Sequence, residues 1–377
     1  MTTVLHASDS ADFLGIIPAL AGFTPRRSIV LLPFHGSRSH GAMRLDLPAD
    51  ETNLAQYADA AVGLIARLDG TDAVALVVYT DEHPEPTPDG LVLPFAVAVD
   101  EVLGCAEDAG LRVVDALCVT PDGWSSYLVD DPQLGALDSL PPTPEVPGVG
   151  DVAGDQLAGL ALPRADLACK ERVGRALRDI AEVIDHDAGG GITGQENPQA
   201  LAALLSLHDI PAFFEALLEH PDTNPASAIA ALLWCLERPV FRDVAIVQWA
   251  TDLHGGARTL DAQLAFAHHG RALSDDLGAV FLGIGPVPDR DRLRLALTVV
   301  RHAAAAAPRS ARPGPLTAAA WLSWALGRSS HAAHYLDLVR EIDPEYGLAA
   351  LLQTMVDAAV LPEWAFRRGN ARLADAT

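Results

Sequence analysis

The sequence predicts an α/β domain with a mixed, partly parallel sheet followed by an all-α helical domain, and three observations carry that expectation. Before residue 130 the apolar runs are short, rich in Val, Leu and Ile, and alternate with two helical patterns. Residues 138–163 hold Pro141, Pro142, Pro144, Pro147 and Pro163 without sustained periodicity. From Arg164 onward the apolar residues recur at helical spacing. The expected division is therefore an α/β domain over 1–137, a Pro-rich linker or surface-draped strap over 138–163, and a helical domain over 164–377.

The first element is a helix. Ser10 stands before Ala11-Asp12 as an N-cap, Phe13, Leu14, Ile17 and Leu20 share a face, and Gly22 and Pro25 close it. Strands follow at Ser28–Phe34, Ala42–Leu47, Ala73–Tyr79 and Arg112–Val119, with a weaker one at Trp124–Val129. Helical patterns at Asn53–Leu68 and Phe95–Ala109 are long enough to cross between parallel strands, and the outer joints read as hairpins. Pro121-Asp122-Gly123 supplies the last turn.

In the second part Leu167, Val173, Leu177, Ile180 and Ile184 mark a helix ending at Gly189-Gly190-Gly191. Further helices are expected near 198–207, 210–219, 225–237, 241–253, 258–270, 288–306, 314–326, 331–342 and 346–358. Within Leu316–Pro344, Ala319, Ala320 and Ser323 face a second helix carrying Ala332, Leu336 and Val339 across the turn Gly327-Arg328-Ser329. That pair is similar to a tetratricopeptide hairpin, although three copies at a period of about 34 residues are not found.

Of the 377 residues, 26 are Lys or Arg and 50 Asp or Glu, a net charge of -24. Non-specific attraction to nucleic acid or an anionic membrane is thereby disfavoured. The imbalance is steepest in residues 1–140, with 6 basic and 21 acidic side chains. Cys105, Cys118, Cys169 and Cys235 are scattered, with no paired spacing for a disulfide framework or a zinc site. A reducing cytoplasm is the expected compartment, without a leader segment or membrane span.

Sheet topology suggests the main site. If the strands ending near Asp46, Asp81 and Asp122 run parallel, these carboxylates and His83 lie at the carboxyl edge, where open α/β sheets bind ligands. Hard oxygens and one imidazole suit Mg²⁺ or Mn²⁺, although an Asp after a strand also caps a helix or makes a turn. The loop His35-Gly36-Ser37-Arg38-Ser39-His40-Gly41 is either an anion grip, through His35, Ser37, Arg38 and His40, or a solvated hairpin. Gly189–Gly194 lacks a preceding strand and a Walker ending, so it reads as an interhelical loop.

Arg44 and Asp46 share a strand face and should pair. Glu237-Arg238 and Arg242-Asp243 suggest ion pairing between helices. His331 with His334, and His268 with His269, lack a zinc motif. Arg290, Arg294 and Arg301 share a helix face, with Arg292 beside them and Arg309 and Arg312 beyond. This is the one basic concentration in the chain, diluted by Asp289 and Asp291, and it suits an acidic partner or a nucleic-acid backbone, or is simply solvated. No nucleophile elbow, dinucleotide fingerprint, kinase set or deaminase signature is present.

Ala11-Asp12-Phe13-Leu14 with Pro18 and Leu20 opens an ordered set of motifs. Gly22-Phe23-x-Pro25-x-x-Ser28 leads into Ile29-Val30-Leu31-Leu32, and Arg44-Leu45-Asp46-Leu47-Pro48 follows. Arg242-Asp243, Trp324-Ala325-x-Gly327 and Asp343-Pro344 complete it. Together they resemble the actinobacterial domain-of-unknown-function family 4192 across most of the chain. The resemblance implies no activity, cofactor or catalytic residue. The single lysine, Lys170, agrees with a high-GC actinobacterial source.

The leading expectation is a cytoplasmic protein-interaction or regulatory module with an unidentified protein partner. Its rivals are a divalent-metal-dependent hydrolase or phosphoryl-handling enzyme using Asp46, Asp81, His83 and Asp122, and a small-ligand sensor. No cofactor is specified.

Overall fold

In the computed structural model, residues 6–39, 41–49, 53–88, 90–145, 152, 154–186, 198–270 and 275–366 are described. The chain divides into two compact units, Met1–Ala158 and Gly159–Thr377.

Unit 1 starts with α1 (Ser10–Ala21), β1 (Ser28–His35), β2 (Arg38–Ser39), β3 (Met43–Asp46), α2 (Leu54–Ala66) and β4 (Ala73–Tyr79). It continues through β5 (Glu85–Thr87), β6 (Gly90–Val92), α3 (Ala96–Asp108), β7 (Arg112–Thr120) and β8 (Gly123–Ser126). The main sheet runs β2-β1-β4-β7-β8, with β3 also paired to β1. Among the described residues only β4 and β7 pair in parallel; β1 is antiparallel to β2, β3 and β4, and β7 to β8. The expected mixed sheet is therefore present. One crossover, through α2, steps over β1, and the other, through α3, joins neighbours.

Alternation in the strands sorts the core into two layers. Ile29, Leu31, Val74, Leu76, Val78, Ala116 and Cys118 pack on Ala58, Val62 and Ile65 of α2 and Val99 and Val102 of α3. Val30, Leu32, Ala75, Val77 and Leu117 turn to the other face, against Leu14 and Ile17 of α1. A strand covered on both sides reads as a continuous apolar run, which is why β4 is Ala-Val-Ala-Leu-Val-Val-Tyr.

Several local expectations are corrected. The N-cap of α1 is Asp9, whose carboxylate accepts from the Asp12 amide at 2.9 Å. Ser10 instead donates to Asp115 of β7 at 2.7 Å and ties the helix to the sheet. The last strand stops at Ser126 because the Leu128 amide donates to the Ser126 hydroxyl, a local turn that ends the ladder. The short strands β2, β5 and β6 were not foreseen, being too brief to show alternation. Of the Pro-rich segment, Leu140 packs with the α1 layer and Pro141 lies against Gly15, where a Cβ would come within 2.7 Å.

Unit 2 contains α4 (Leu167–His186), α5 (Pro198–Ser206), α6 (Ile210–Ala216), α7 (Ala226–Leu236), α8 (Pro239–Ala250), α9 (Leu253–His269) and α10 (Asp275–Phe281). α11 (Arg290–Ala306), α12 (Pro313–Ala325), α13 (Ser329–Arg340) and α14 (Gly347–Asp357) follow. The seven-residue α10 went unforeseen, and the glycine runs at Gly189–Gly191 and Gly189–Gly194 lie outside the described residues. Every residue of α12 is buried. Its two tryptophans find acceptors, Trp321 at Phe281 O (3.2 Å) and Trp324 at Val360 O (2.7 Å), so burying them strands no indole N–H.

The ion pairing expected between helices is instead between chain neighbours: Arg242 holds Asp243 at 2.9 Å and Arg238 approaches Glu237 at 3.8 Å. Adjacent residues at a helix start meet without the entropy of ordering a distant partner. The interhelical lock is one the sequence did not announce. Arg292 of α11 grips Glu215 of α6 with both guanidinium nitrogens at 2.5 Å, and Gln248 of α8 donates to Glu215 at 3.0 Å. Those hydrogen bonds, Arg292's first, hold the Glu215 carboxyl below its ordinary pKa.

Glu215→Gln should therefore destabilise the protein at neutral pH by about 1–2 kcal/mol, a charge-assisted value discounted because Glu215 is partly exposed. Because the folded pKa is depressed, the wild-type advantage is full above the unfolded value of about 4.3 and disappears as pH falls through the folded one. Urea unfolding of both proteins across that range checks it; a gap unchanged by acidification would refute the ion pair.

Candidate functional site

Strand pairing places five residues in one row across the sheet. Asp46 of β3 stands opposite Ser28 of β1, Ser28 opposite Tyr79 of β4, Tyr79 opposite Val119 of β7, and Val119 opposite Trp124 of β8. β3, β4 and β7 point the same way, so the turns that follow them emerge on one edge. This is the carboxyl edge at which α/β sheets bind their ligands.

Two hollows open along it. The first, of about 450 Å³, is lined by Pro48, Leu54, Glu82, His83, Phe95 and neighbouring residues, so the first turns of α2 and α3 form part of its wall. Asn53 caps α2 through a 3.3 Å bond from the Gln56 amide, whereas Phe95 opens α3 without a side-chain cap. Phe95 sits at φ 61, a left-handed conformation costly for a residue with a Cβ. Tyr127 donates to Pro94 O at 2.6 Å and braces the segment. Burial, then Cys118, pushes the Tyr127 phenol far up, so it remains a donor.

The second hollow, of about 300 Å³, is lined by Pro25, Arg26, Arg27, Tyr79, Thr80, Asp81, Val119, Thr120 and Pro121. Arg27 is also left-handed, at φ 44. Gln156 clamps the backbone of Arg26, accepting from its amide at 3.1 Å and donating to its carbonyl at 2.8 Å. Thr24 is tied to Gly154 O (2.9 Å) and Val152 O (2.6 Å). Asp81 lies 3.7 Å from Arg26 and 3.9 Å from Arg27, a loose contact among exposed groups. Burial pushes the Tyr79 phenol up, so it presents a neutral hydroxyl. The Ser28 hydroxyl, fully buried in the same row, has no partner among the described residues.

The four residues expected to share an ion do not share one place. His83 Nδ1 and Asp122 meet at 2.7 Å. Asp46 is bound to Arg44 at 2.5 Å, as their spacing suggested, while Asp81 faces the two arginines. Asp46 and Val119 are separated by two intervening strands, and strands lie about 4.8 Å apart, so the edge carboxylates are spread along it. Among the described residues no group of three or more His, Cys, Asp or Glu is arranged to hold a metal ion.

The loop after β1 lies at the opposite edge. His35 pairs with Arg38 across a two-residue turn at Gly36 and Ser37, forming the hairpin to β2. The Gly36 amide donates to Asp72 at 2.8 Å, so this part of the loop serves a carboxylate of the protein itself. His40 lies outside the described residues.

On α11, Arg294 pairs with Asp291 at 2.6 Å. Arg290 reaches Leu326 O at 3.5 Å, and Arg301 donates to Gly159 O and, at 2.7 Å, to Ala161 O. Sequence reading passed over Arg26, Arg27, Tyr79, Phe95 and Gln156. The signal for the first two was present: they are two of the 6 basic residues in 1–140 and directly precede a strand.

Fold and site thus define a two-unit protein in which a three-layer α/β unit with an open carboxyl edge is followed by a helical unit. The chain belongs to the family described as Domain of unknown function (DUF4192), whose model matches residues 11–363. No curated protein and no solved structure matches it. Among the described residues no helix is long and apolar enough to cross a membrane.

Replacing Arg27 by Gly removes a left-handed Cβ whose side chain is exposed. Arg27→Gly should stabilise the unliganded protein by about 0.5–1 kcal/mol, after allowing for the added freedom of the unfolded chain. Chemical denaturation measures it, and a loss of stability would show that the side chain contributes more to the fold than its backbone costs.

Proposed function

We propose that unit 1 is a ligand-binding regulatory module that takes a small anion at the arginine-lined hollow of the carboxyl edge. The observation that carries this reading is the placement of Arg26 and Arg27 there, two cations against Asp81, in the most acidic part of the chain. A left-handed arginine retained beside a hollow is the kind of strain that ligand sites keep. The Tyr79 hydroxyl offers a neutral donor to the same anion. Partner binding by the helical unit completes the regulatory reading, since helical hairpins present faces suited to peptide or helix ligands. The four free cysteines support a cytoplasmic setting.

Thermal unfolding against phosphate, nucleotides and dicarboxylates tests the module. A ligand at a hundred times its Kd should stabilise the fold by about 2.7 kcal/mol. That gain should disappear in the Arg26→Ala, Arg27→Ala double variant. A panel without effect, or a gain the variant keeps in full, would overturn the assignment.

A second reading is favoured by the His83–Asp122 pair. A carboxylate on Nδ1 orients an imidazole and leaves Nε2 as the nitrogen for proton transfer, and His83 lines the larger hollow. On this reading the edge is a hydrolase site acting on an ester or phosphoester. Turnover of nitrophenyl acetate or nitrophenyl phosphate that is lost in His83→Gln would establish it, and absence of turnover on both would remove it.

A further inference from the structure

The arginine-lined hollow offers more than positive charge. Both guanidinium groups converge on one carboxylate, Arg26 at 3.7 Å and Arg27 at 3.9 Å from Asp81. Those separations are too long for hydrogen bonds, and neither side chain makes one to any described residue. Two planar donor forks therefore meet at one place with their capacity unspent. Asp81 stands between them without binding either, a weak substitute for a carboxylate brought from outside.

A third open group lines the same hollow. The Tyr79 hydroxyl has no hydrogen-bond partner among the described residues, and burial keeps it neutral. Directly opposite on β1, Ser28 turns to the same α1-facing side of the sheet, and its fully buried hydroxyl is also without a partner there. A hydroxyl buried unpaired costs free energy, so two in one cross-strand pair mark polar capacity that no neighbouring side chain takes up.

The rest of the wall narrows the class of anion. Pro25 and Pro121 have no amide N–H, and those of Arg26 and Thr80 already donate, to Gln156 at 3.1 Å and to Val119 O at 3.1 Å. These four positions therefore supply none of the free backbone amides with which a nest cradles phosphate. At about 300 Å³ the hollow stands at the lower limit of small-molecule sites, which suits a body of a few carbons better than a nucleotide. Pro25, Val119 and Pro121 give that body an apolar surface. Guanidinium and carboxylate pair fork to fork, one carboxylate to each arginine.

We propose that the hollow takes a short organic dicarboxylate, with its carboxylates on Arg26 and Arg27 and one further oxygen accepting from Tyr79. This inference rests on the reading of unit 1 as an anion-binding module and names its ligand class. The incoming carboxylates displace the loose contact with Asp81, which makes Asp81 a competitor of the ligand and not a part of its site.

Calorimetric titration of the full chain tests the assignment with four probes. They are glutarate, pentanoate, which has the same chain and one carboxylate fewer, inorganic phosphate and adenosine monophosphate. Glutarate should bind, and the other three at least about tenfold more weakly. Arg26→Ala and Arg27→Ala should each weaken glutarate by about tenfold or more. Tyr79→Phe removes only an unpartnered hydroxyl, so without ligand it should melt as the wild type does and yet hold glutarate about threefold to tenfold less tightly. Asp81→Asn should tighten glutarate several-fold, because a competing negative charge is gone. A weaker complex in Asp81→Asn would overturn the proposal, as would pentanoate binding as tightly as glutarate. Phosphate or the nucleotide binding more tightly than glutarate, and losing that affinity in the Arg26→Ala, Arg27→Ala double variant, would overturn the dicarboxylate and leave the anion-binding module standing. Binding by none of the four, or binding that the double variant keeps in full, would overturn both.

Discussion

Everything at the candidate site follows from how β4 is paired. It lies between an antiparallel β1 and a parallel β7, so its last residue, Tyr79, falls level with the first residue of β1 and the end of β7. The exits of β4 and β7 and the entrance of β1 must then share an edge. Apolar burial on both faces holds that arrangement: a one-residue slip of β4 would exchange the side chains packed on α1 for those packed on α2 and α3. The Arg26-Arg27 pair is thus delivered to the edge by strand register.

Strain and unpaired polarity are not scattered evenly through unit 1. Arg27 and Phe95, the two non-glycine residues with positive φ among the described residues of unit 1, both line edge hollows, and the Ser28 hydroxyl, without a partner among those residues, lies in the row that defines the edge. The opposite edge is different in kind. There His35, Gly36 and Asp72 satisfy one another in a tight hairpin. The strained backbone among the described residues of unit 1 thus lies at the edge where the hollows open, as expected of an end prepared for a ligand.

The helical unit distributes its charges by another logic. Arg292 is consumed in the Glu215 and Gln248 lock, and Arg242 in its contact with Asp243 and Tyr346. Its neighbours on α11 find other partners: Arg294 pairs with Asp291 of its own helix, Arg290 reaches Leu326 O, and Arg301 serves the carbonyls of Gly159 and Ala161. Arg292 lies about 200° around the helix from Arg290, which directs it toward α6 and α8 and away from the stripe of Arg290, Arg294 and Arg301. Spacing along one helix therefore separates the arginine that locks α6 and α8 to α11 from those that serve other contacts.

Much of this was readable in the amino-acid order. The strands at 28–34, 73–79 and 112–119, the crossover helices and most helices after Arg164 declare themselves through period and punctuation, because each depends on neighbours within a few residues. The pairing of Arg44 with Asp46 is legible for the same reason. By contrast, the partner of Ser10, the meeting of His83 with Asp122, the clamp of Gln156 on Arg26 and the reach of Arg290 to Leu326 O join residues 36 to 130 positions apart. Such contacts are set by which strand lies beside which and how helices pack, and a single sequence carries no local trace of either. Local periodicity settled the elements and the apolar faces of this protein, while long-range packing chose which of its few cations are paired and which stand open.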